Sequence, residues 1–276
     1  MATPSCRYNF RLFAWRPAAA LFIAVVAILA GPGCAPPEQG GGSGPGHRRQ
    51  ILGLRPEQEY ELGQKAYRKI LDEARQQDAL LPQNSQMVEH VRRVGERIVK
   101  AVEIEPLQRE INLHLRGYRF DWQFNVIRSR QVNAFCLPGG RVVVYTGLMR
   151  IVDNDDQLAT VLAHEIAHAL AHHANERITT EESGRVNWLY RQAYDREQES
   201  EADHIGLFLM TFAGYDPDEA LVFWQHMERL SRGGQLPEIL SNHPSDRRRI
   251  EQIRAWIPQA KAARKAFEQH RIAPSR

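Results

Sequence analysis

Cysteine is scarce in this chain, with three residues in 276. Cys6 lies in an N-terminal segment that we expect to be removed, and Cys34 stands at a position that we expect to carry a lipid. Cys136 is then the one thiol left in the mature chain. This scarcity excludes an intramolecular disulfide and a zinc site built from cysteine.

The N-terminal hydrophobic run is too short to cross a membrane. Residues Ala18–Ala30 are 13 positions without a polar side chain, and three arginines precede them. A spanning helix needs about 20 apolar residues, whereas a signal peptide has an apolar core of about 7–15. The sequence therefore predicts an export signal.

Cys34 follows this run directly after Gly31-Pro32-Gly33, and a Pro- and Gly-rich stretch comes next. The arrangement resembles the lipobox of bacterial lipoproteins, in which the cysteine is lipidated and becomes the mature N-terminus. We predict a lipoprotein-type signal peptide at residues 1–33, a lipid on Cys34, a flexible linker at 34–47 and one domain at 48–276. A plain signal peptide cut nearby and an uncleaved anchor are the alternatives.

The chain also lacks a surplus of charge of one sign. Its formal net charge is +3, but three arginines and no acids lie in the first 33 residues. The remainder carries equal numbers of basic and acidic residues, 33 of each. This balance gives no indication of nucleic-acid binding.

The strongest pattern in the sequence is His164-Glu165-Ile166-Ala167-His168, inside an apolar helical run. Residues four apart on a helix differ by only about 40° around the axis, so His164 and His168 share a face. Two neutral imidazoles at this spacing can bind one Zn²⁺, and Glu165 can take a proton from a water. The pattern predicts a zinc hydrolase, against the alternative of a helix with two unrelated histidines.

A catalytic zinc needs a third protein ligand, and an acidic cluster at residues 197–203 can supply it. Glu199 and Asp203 are four residues apart, and Glu197 and Glu201 are also four apart. Either pair offers one ligand and one orienting carboxylate, so the spacing does not choose between them. A solvated acidic helix face is the plainer interpretation. His172 and His173 lie too far along the helix to bind the same ion as His164 and are interpreted as polar neighbours.

Two further stretches have both a structural and a functional interpretation. Pro138-Gly139-Gly140 predicts a turn before the strand Arg141–Tyr145, which is either an ordinary sheet strand or an edge that pairs with a peptide. His243 stands before a proline, where a surface loop residue is the ordinary expectation.

Together these motifs resemble the gluzincin metallopeptidases, the family of HtpX and the CAAX prenyl protease. The residues that carry the resemblance are His164–His168, Glu199–Gly206, Asn133–Gly140, His243-Pro244 and Arg249-Ile250. Within this family they look most like the branch of the periplasmic proteases BepA and LoiP and the stress-activated mitochondrial inner-membrane protease.

The resemblance implies an α+β fold, a mostly helical zincin-like metalloprotease domain with a small β-sheet whose edge strand borders the active-site cleft. It implies one Zn²⁺ per chain, Glu199 as the third ligand and Asp203 as the residue that holds a zinc-binding histidine. It also implies that His243 gates the metal or steadies the oxyanion, and that Val142, Val143 and Val144 form the substrate edge strand.

We therefore predict a zinc-dependent endopeptidase. Zn²⁺ on His164, His168 and Glu199 would lower the pKa of a water, and Glu165 would move its proton to the leaving amine. The resemblance implies unfolded or misassembled envelope proteins as substrates, and a lipid-anchored location on the periplasmic side of a bacterial outer membrane. A zinc-binding chaperone or adaptor with little proteolysis is the alternative, and a non-peptidase zinc hydrolase is the other rival class.

Overall fold

A computed structural model describes residues 50–113, 115–182, 188–233, 237–243 and 247–272. The predictions for residues 1–47, including a lipid on Cys34, therefore lie outside the described residues. All described residues belong to the unit Cys34–Arg276. Its helices are α1 (Pro56–Gln76), α2 (Gln86–Val102), α3 (Glu105–Glu110), α4 (Asp155–Leu170), α5 (His173–Glu182), α6 (Trp188–Phe212), α7 (Asp218–Arg232), α8 (Glu238–Asn242) and α9 (Arg247–Ile272), and its strands are β1 (Gln123–Ile127), β2 (Ala134–Leu137) and β3 (Arg141–Tyr145).

Helix boundaries follow local chemistry. Ser85 caps α2, because its hydroxyl accepts a hydrogen bond from the Val88 N–H. Asn154 caps α4 in the same way, through the Gln157 N–H, and two aspartates occupy the first turn of α4. Negative charge at this end complements the helix dipole. The start of the helix that carries the zinc-binding pattern is thus set by its own residues.

The three strands form one sheet in the order β1-β3-β2. β1 pairs with β3 in parallel, with Phe124 opposite Val142. β2 pairs with β3 antiparallel, with Cys136 opposite Val142. The tight turn between β2 and β3 depends on Gly139 and Gly140, which have φ angles of 78° and 83°.

This order contradicts the prediction that Val142, Val143 and Val144 form the substrate edge strand. β3 is the central strand, and all its residues are buried. A central strand has its backbone N–H and C=O groups paired on both sides, so it has no free edge for a peptide. That prediction is wrong, and the edge strand that packs against the zinc-motif helix α4 is β2.

Helix α4 is the centre of the core. It packs against α2, α6, α7 and β2, and every one of its residues from Gln157 to Leu170 is buried. Its surroundings explain why the sequence there shows little amphipathic pattern, since a helix covered on all sides needs no polar face. Polar side chains in α4 consequently need partners inside the protein.

The predicted fold class is confirmed: the described residues form an α+β domain that is mostly helical and has a small sheet. Pro258 lies inside the last helix, which continues through it from Arg247 to Ile272. A proline removes one backbone hydrogen bond, and the packing of α9 against α6 and α7 outweighs that loss. None of the described helices is both long enough and apolar enough to cross a membrane.

Candidate metal centre

The two histidines of the zinc-binding pattern lie side by side on buried α4. Their Nε2 atoms are 3.1 Å apart, and both rings are buried. Helix α4 ends just beyond them, where His172 adopts a left-handed conformation with a φ of 56°. The structure thus brings together the first two predicted ligands.

Helix α6 supplies the third group from across the core. The carboxylate oxygens of Glu199 lie 3.2 Å from Nε2 of His164 and 3.4 Å from Nε2 of His168. Asp203, one turn further along α6, places Oδ1 at 3.0 Å from Nδ1 of His164. Of the two pairs that spacing left open, Glu199 with Asp203 is the one that reaches this histidine pair.

These donors fit a zinc ion. Donors at about 2.0–2.1 Å from a tetrahedral Zn²⁺ are themselves about 3.3 Å apart. The two histidine Nε2 atoms are 3.1 Å apart, and Glu199 places Oε2 at 3.2 Å from that of His164 and Oε1 at 3.4 Å from that of His168. Two imidazoles and one carboxylate are also a donor set of known catalytic zinc sites.

Electrostatics in the cluster favours a cation. Burial alone would raise the pKa of Glu199, but the neighbouring His243 and His168 hold it well below its usual range, so this carboxylate is ionised. Burial lowers the pKa of His168 to about 3, and the ring is therefore neutral, as a metal ligand must be. Burial also opposes protonation of His164, but the contacts with Asp203 and Glu199 outweigh it and raise its pKa to about 9. A bound cation would compete with that proton.

Glu165 points into the same site without occupying it. Its Oε1 atom is buried and accepts no hydrogen bond from the described residues, and burial raises the pKa of the carboxyl above its usual value. A raised pKa makes a carboxylate a stronger base near neutral pH. Glu165 therefore has the position and the basicity to receive a proton from a water.

His243 joins the cluster from the C-terminal end of α8. Its Nδ1 lies 3.0 Å from both carboxylate oxygens of Glu199 and 3.3 Å from Nε2 of His164. Its Nε2 lies 3.4 Å from Oε1 of Glu165. His243, His164, His168 and Glu199 together form a buried group able to hold a metal ion. The plain interpretation of His243 as a surface loop residue is wrong, because its ring is buried.

Arg249 lies on α9, and the sequence pattern alone predicts no role for it. It makes a bidentate ion pair with Asp203, with N–O distances of 2.7 and 2.8 Å. It also donates to the His243 carbonyl oxygen at 3.2 Å and lies over the Trp224 ring at 4.2 Å. Arg249 therefore connects the residue that holds His164 to the segment that carries His243.

Gly206 allows α6 to approach α4 closely enough to form the site. A Cβ atom at this position would lie 3.0 Å from the His164 backbone nitrogen and 3.1 Å from the Ala163 carbonyl carbon. Glu199, Asp203 and Gly206 share one helix face, because they are spaced by four and three residues. The same close contact therefore sets the distance from Glu199 to the histidines.

We expect the substitution Gly206→Val to weaken zinc binding at least about tenfold, because the branched side chain forces α6 away from His164. The zinc dissociation constant, measured by competition with a chelator, checks this. Gly233→Val is the control, since a Cβ there meets its nearest atoms at 3.4 and 3.5 Å. Equal zinc affinity in Gly206→Val and wild type would contradict this role for the close approach.

Comparison with known families agrees with this geometry. The model of peptidase family M48 matches residues 91–191 and 184–257, which include the motif on α4, the acidic residues on α6 and His243. The chain belongs to peptidase family M48. It is therefore a metalloendopeptidase, and M48 peptidases use zinc.

Relatives of the M48 chain include proteases from yeast, human and bacteria. The mitochondrial metalloendopeptidase OMA1 of Schizosaccharomyces pombe is 32% identical over 245 residues, 80% of this chain and 68% of that protein. Human OMA1 is 34% identical over 175 residues, 51% of this chain and 33% of that protein. The β-barrel assembly-enhancing protease of Escherichia coli is 27% identical over 172 residues, 51% of this chain and 35% of that protein.

These comparisons overturn the predicted location. The chain was expected to be a lipoprotein on the periplasmic side of a bacterial outer membrane. The OMA1 relatives from S. pombe and human are mitochondrial proteases, and the prediction of an outer-membrane location is wrong.

Proposed function

We propose that this M48 peptidase cleaves unfolded or misassembled proteins, as a protein quality-control enzyme. The observation that carries the proposal is the convergence of His164, His168 and Glu199 into a buried group able to hold one metal ion, with Glu165 beside them. Names of relatives such as the β-barrel assembly-enhancing protease support a role in maintaining other proteins.

Each residue has a defined part in the proposed hydrolysis. His164, His168 and Glu199 would hold one Zn²⁺, which supplies Lewis acidity and lowers the pKa of water toward about 7. Glu165 takes a proton from the attacking water and passes it to the leaving amine. Asp203, held by Arg249, orients the His164 ring through Nδ1.

We expect the purified protein to cleave an unfolded protein such as casein. A strong chelator should stop cleavage, because it removes the ion that His164, His168 and Glu199 hold, and one equivalent of zinc should restore it. Gel analysis of casein fragments measures both steps. Cleavage that continues at the same rate after complete removal of zinc would contradict the proposal.

The proposed substrate edge is β2 in place of β3. Tyr145 N–H donates to the Asn133 carbonyl oxygen at 3.0 Å, so every second residue from Asn133 onward bonds to β3. In an antiparallel ladder the residues between them, Ala134 and Cys136, direct their backbone groups to the other side. The Ala134 N–H donates to the Asn133 side chain. Within the part of the chain that the structure describes, this leaves the Ala134 C=O and both backbone groups of Cys136 for an extended peptide.

His243 is proposed as a gate. A catalytic zinc site keeps one position open, and His243 Nδ1 lies where a fourth ligand would lie, 3.0 Å from Glu199 and 3.3 Å from His164. Its other ring nitrogen faces Glu165. The His243 ring therefore lies between Glu165 and the three proposed zinc ligands. Water and the scissile carbonyl must enter at this place.

We expect His243→Ala to raise the rate of casein cleavage by about tenfold or more, because the fourth position opens without a conformational step costing about 1.4 kcal/mol or more. Zinc content should stay at one per chain. If His243 steadied the oxyanion, the same substitution would lower the rate by about 100-fold or more. A fall in rate would thus contradict the gate.

The position of His243 at the fourth ligand site also favours a second candidate function, a zinc-binding chaperone or adaptor that seldom cleaves proteins. That candidate requires Glu165→Gln to replace the wild-type protein fully in cells that lack it, whereas a protease requires the substitution to fail.

A lipid on Cys34 stays a prediction and would bring the domain to a membrane. The support for it is the 13-residue apolar run before the cysteine and the Pro- and Gly-rich stretch after it. Mass analysis of the mature protein tests it, since an acylated N-terminal cysteine carries the mass of its acyl chains and Cys34→Ser does not. An unmodified or differently cleaved N-terminus would exclude it.

A further inference from the structure

His173 connects the second zinc-motif histidine to a buried carboxylate. Its Nδ1 lies 2.7 Å from Nδ1 of His168, and its Nε2 lies 3.0 Å from Oε2 of Glu201. The side chains of His173 and Glu201 are almost inaccessible to solvent, with 2% and 3% exposure. Buried polar groups at these distances are hydrogen-bonded to each other, because water is not available to them.

The backbone explains how His173 reaches His168. Five residues separate the two, so on a continuous helix they would not lie one above the other. The left-handed conformation of His172 ends α4 and starts α5 in a new direction. That break brings the ring of His173 against the ring of His168, with 4.8 Å between ring centroids.

Proton positions along the three residues depend on one another. In a neutral imidazole one nitrogen carries the proton and the other is an acceptor. A metal on Nε2 of His168 leaves the proton on Nδ1, so the His168 Nδ1–H must donate to Nδ1 of His173. His173 then carries its proton on Nε2 and donates it to Glu201.

We infer that His173 and Glu201 are positioning residues that fix His168 in the tautomer whose Nε2 can bind zinc. Each zinc-motif histidine is then supported by a carboxylate of α6: Asp203 contacts His164 directly, and Glu201 acts on His168 through His173. Glu201 was a candidate in the alternative ligand pair, and the structure assigns it this supporting position. The inference rests on zinc binding by His168, as the proposed function does.

The test compares zinc affinities of variants at His173. His173→Leu removes the acceptor for His168, whereas His173→Asn keeps an oxygen close to the position of Nδ1. We expect the zinc dissociation constant to rise about 10–100-fold in His173→Leu, and to lie within about fivefold of wild type in His173→Asn. The neighbouring residue gives the matched control: His172→Asn removes a buried histidine that bonds to Glu59, not to a ligand, and suits a left-handed backbone.

A second measurement does not depend on any variant folding. Nitrogen-15 NMR of the imidazoles in the zinc-bound wild type should show the proton of His168 on Nδ1 and that of His173 on Nε2. A proton on Nδ1 of His173 would overturn the inference, as would a His173→Leu variant that folds and binds zinc as tightly as wild type. Those results would leave the proposed function intact, whereas a wild type that binds no zinc would overturn the proposed function itself.

Discussion

Glu165→Gln is expected to lower kcat for peptide cleavage by about 10²–10⁴-fold and to leave zinc bound. Glutamine has nearly the same shape as glutamate, but its amide cannot take a proton from water. The Glu165 Oε1 atom lies 3.4 Å from Nε2 of His243, which is not one of the three proposed ligands. Loss of the base should therefore leave the zinc dissociation constant within about threefold of wild type.

Steady-state cleavage of a fluorogenic peptide and chelator competition measure the two quantities separately. Glu89→Gln, an exposed position on α2, is the control for a general effect of removing a carboxylate. A Glu165→Gln variant that retains the wild-type kcat with zinc bound would mean that another group is the base. A variant that loses zinc would mean that Glu165 is a ligand.

Arg249→Met is expected to destabilise the domain by about 3–5 kcal/mol. The guanidinium is buried and forms two charged hydrogen bonds to Asp203, and the positive charge of Arg249 holds the pKa of that carboxyl below its usual value against the effect of burial. Methionine has a similar length but no charge, so the buried Asp203 carboxylate would lose its guanidinium partner and keep only the His164 ring as a compensating group. Leaving a buried charge with too little compensation is the main cost of breaking a buried ion pair.

Urea unfolding of the zinc-free protein gives the free energy of unfolding without a contribution from metal binding. Arg248→Met is the matched control, because the preceding arginine on α9 is exposed and its replacement should change stability by less than about 0.5 kcal/mol. The idea would be wrong if Arg249→Met and Arg248→Met had the same free energy of unfolding.

Local signals in the sequence were sufficient for the starts of two helices and for half of the site. The cap at Ser85 and the start of α4 follow from side chains within three residues of the boundary. His164, Glu165 and His168 lie within five consecutive residues, so the helical period alone places them together. Such short-range features depend little on the rest of the fold.

The third ligand depended on packing between helices that are distant in the sequence. Helical spacing made Glu197 with Glu201 as acceptable as Glu199 with Asp203. The close contact at Gly206 turns the face of Glu199 and Asp203 toward His164, whereas Glu197 is exposed and Glu201 reaches His173. Resemblance to the family had identified Glu199, and the packing supplies the physical reason.

The wrong prediction of the edge strand and the missing roles of Arg249 and His173 also arise from contacts between residues that are distant in the sequence. A hydrophobic strand beside a Pro-Gly-Gly turn has the same sequence pattern at the edge and in the centre of a sheet. The parallel pairing with β1 is what makes β3 the central strand. The sequence pattern marks Arg249 only as part of the family resemblance and gives neither Arg249 nor His173 a role. Their roles come from Asp203, 46 residues away from Arg249, and from a chain reversal at His172.

Metal analysis combined with casein cleavage, on the same preparations of wild type and Glu165→Gln, tests most directly whether this site is a zinc peptidase centre with Glu165 as its base. We predict one zinc per chain in both proteins and cleavage by the wild type alone. Equal cleavage by both zinc-loaded proteins, or a wild type that cleaves casein without any zinc, would contradict this.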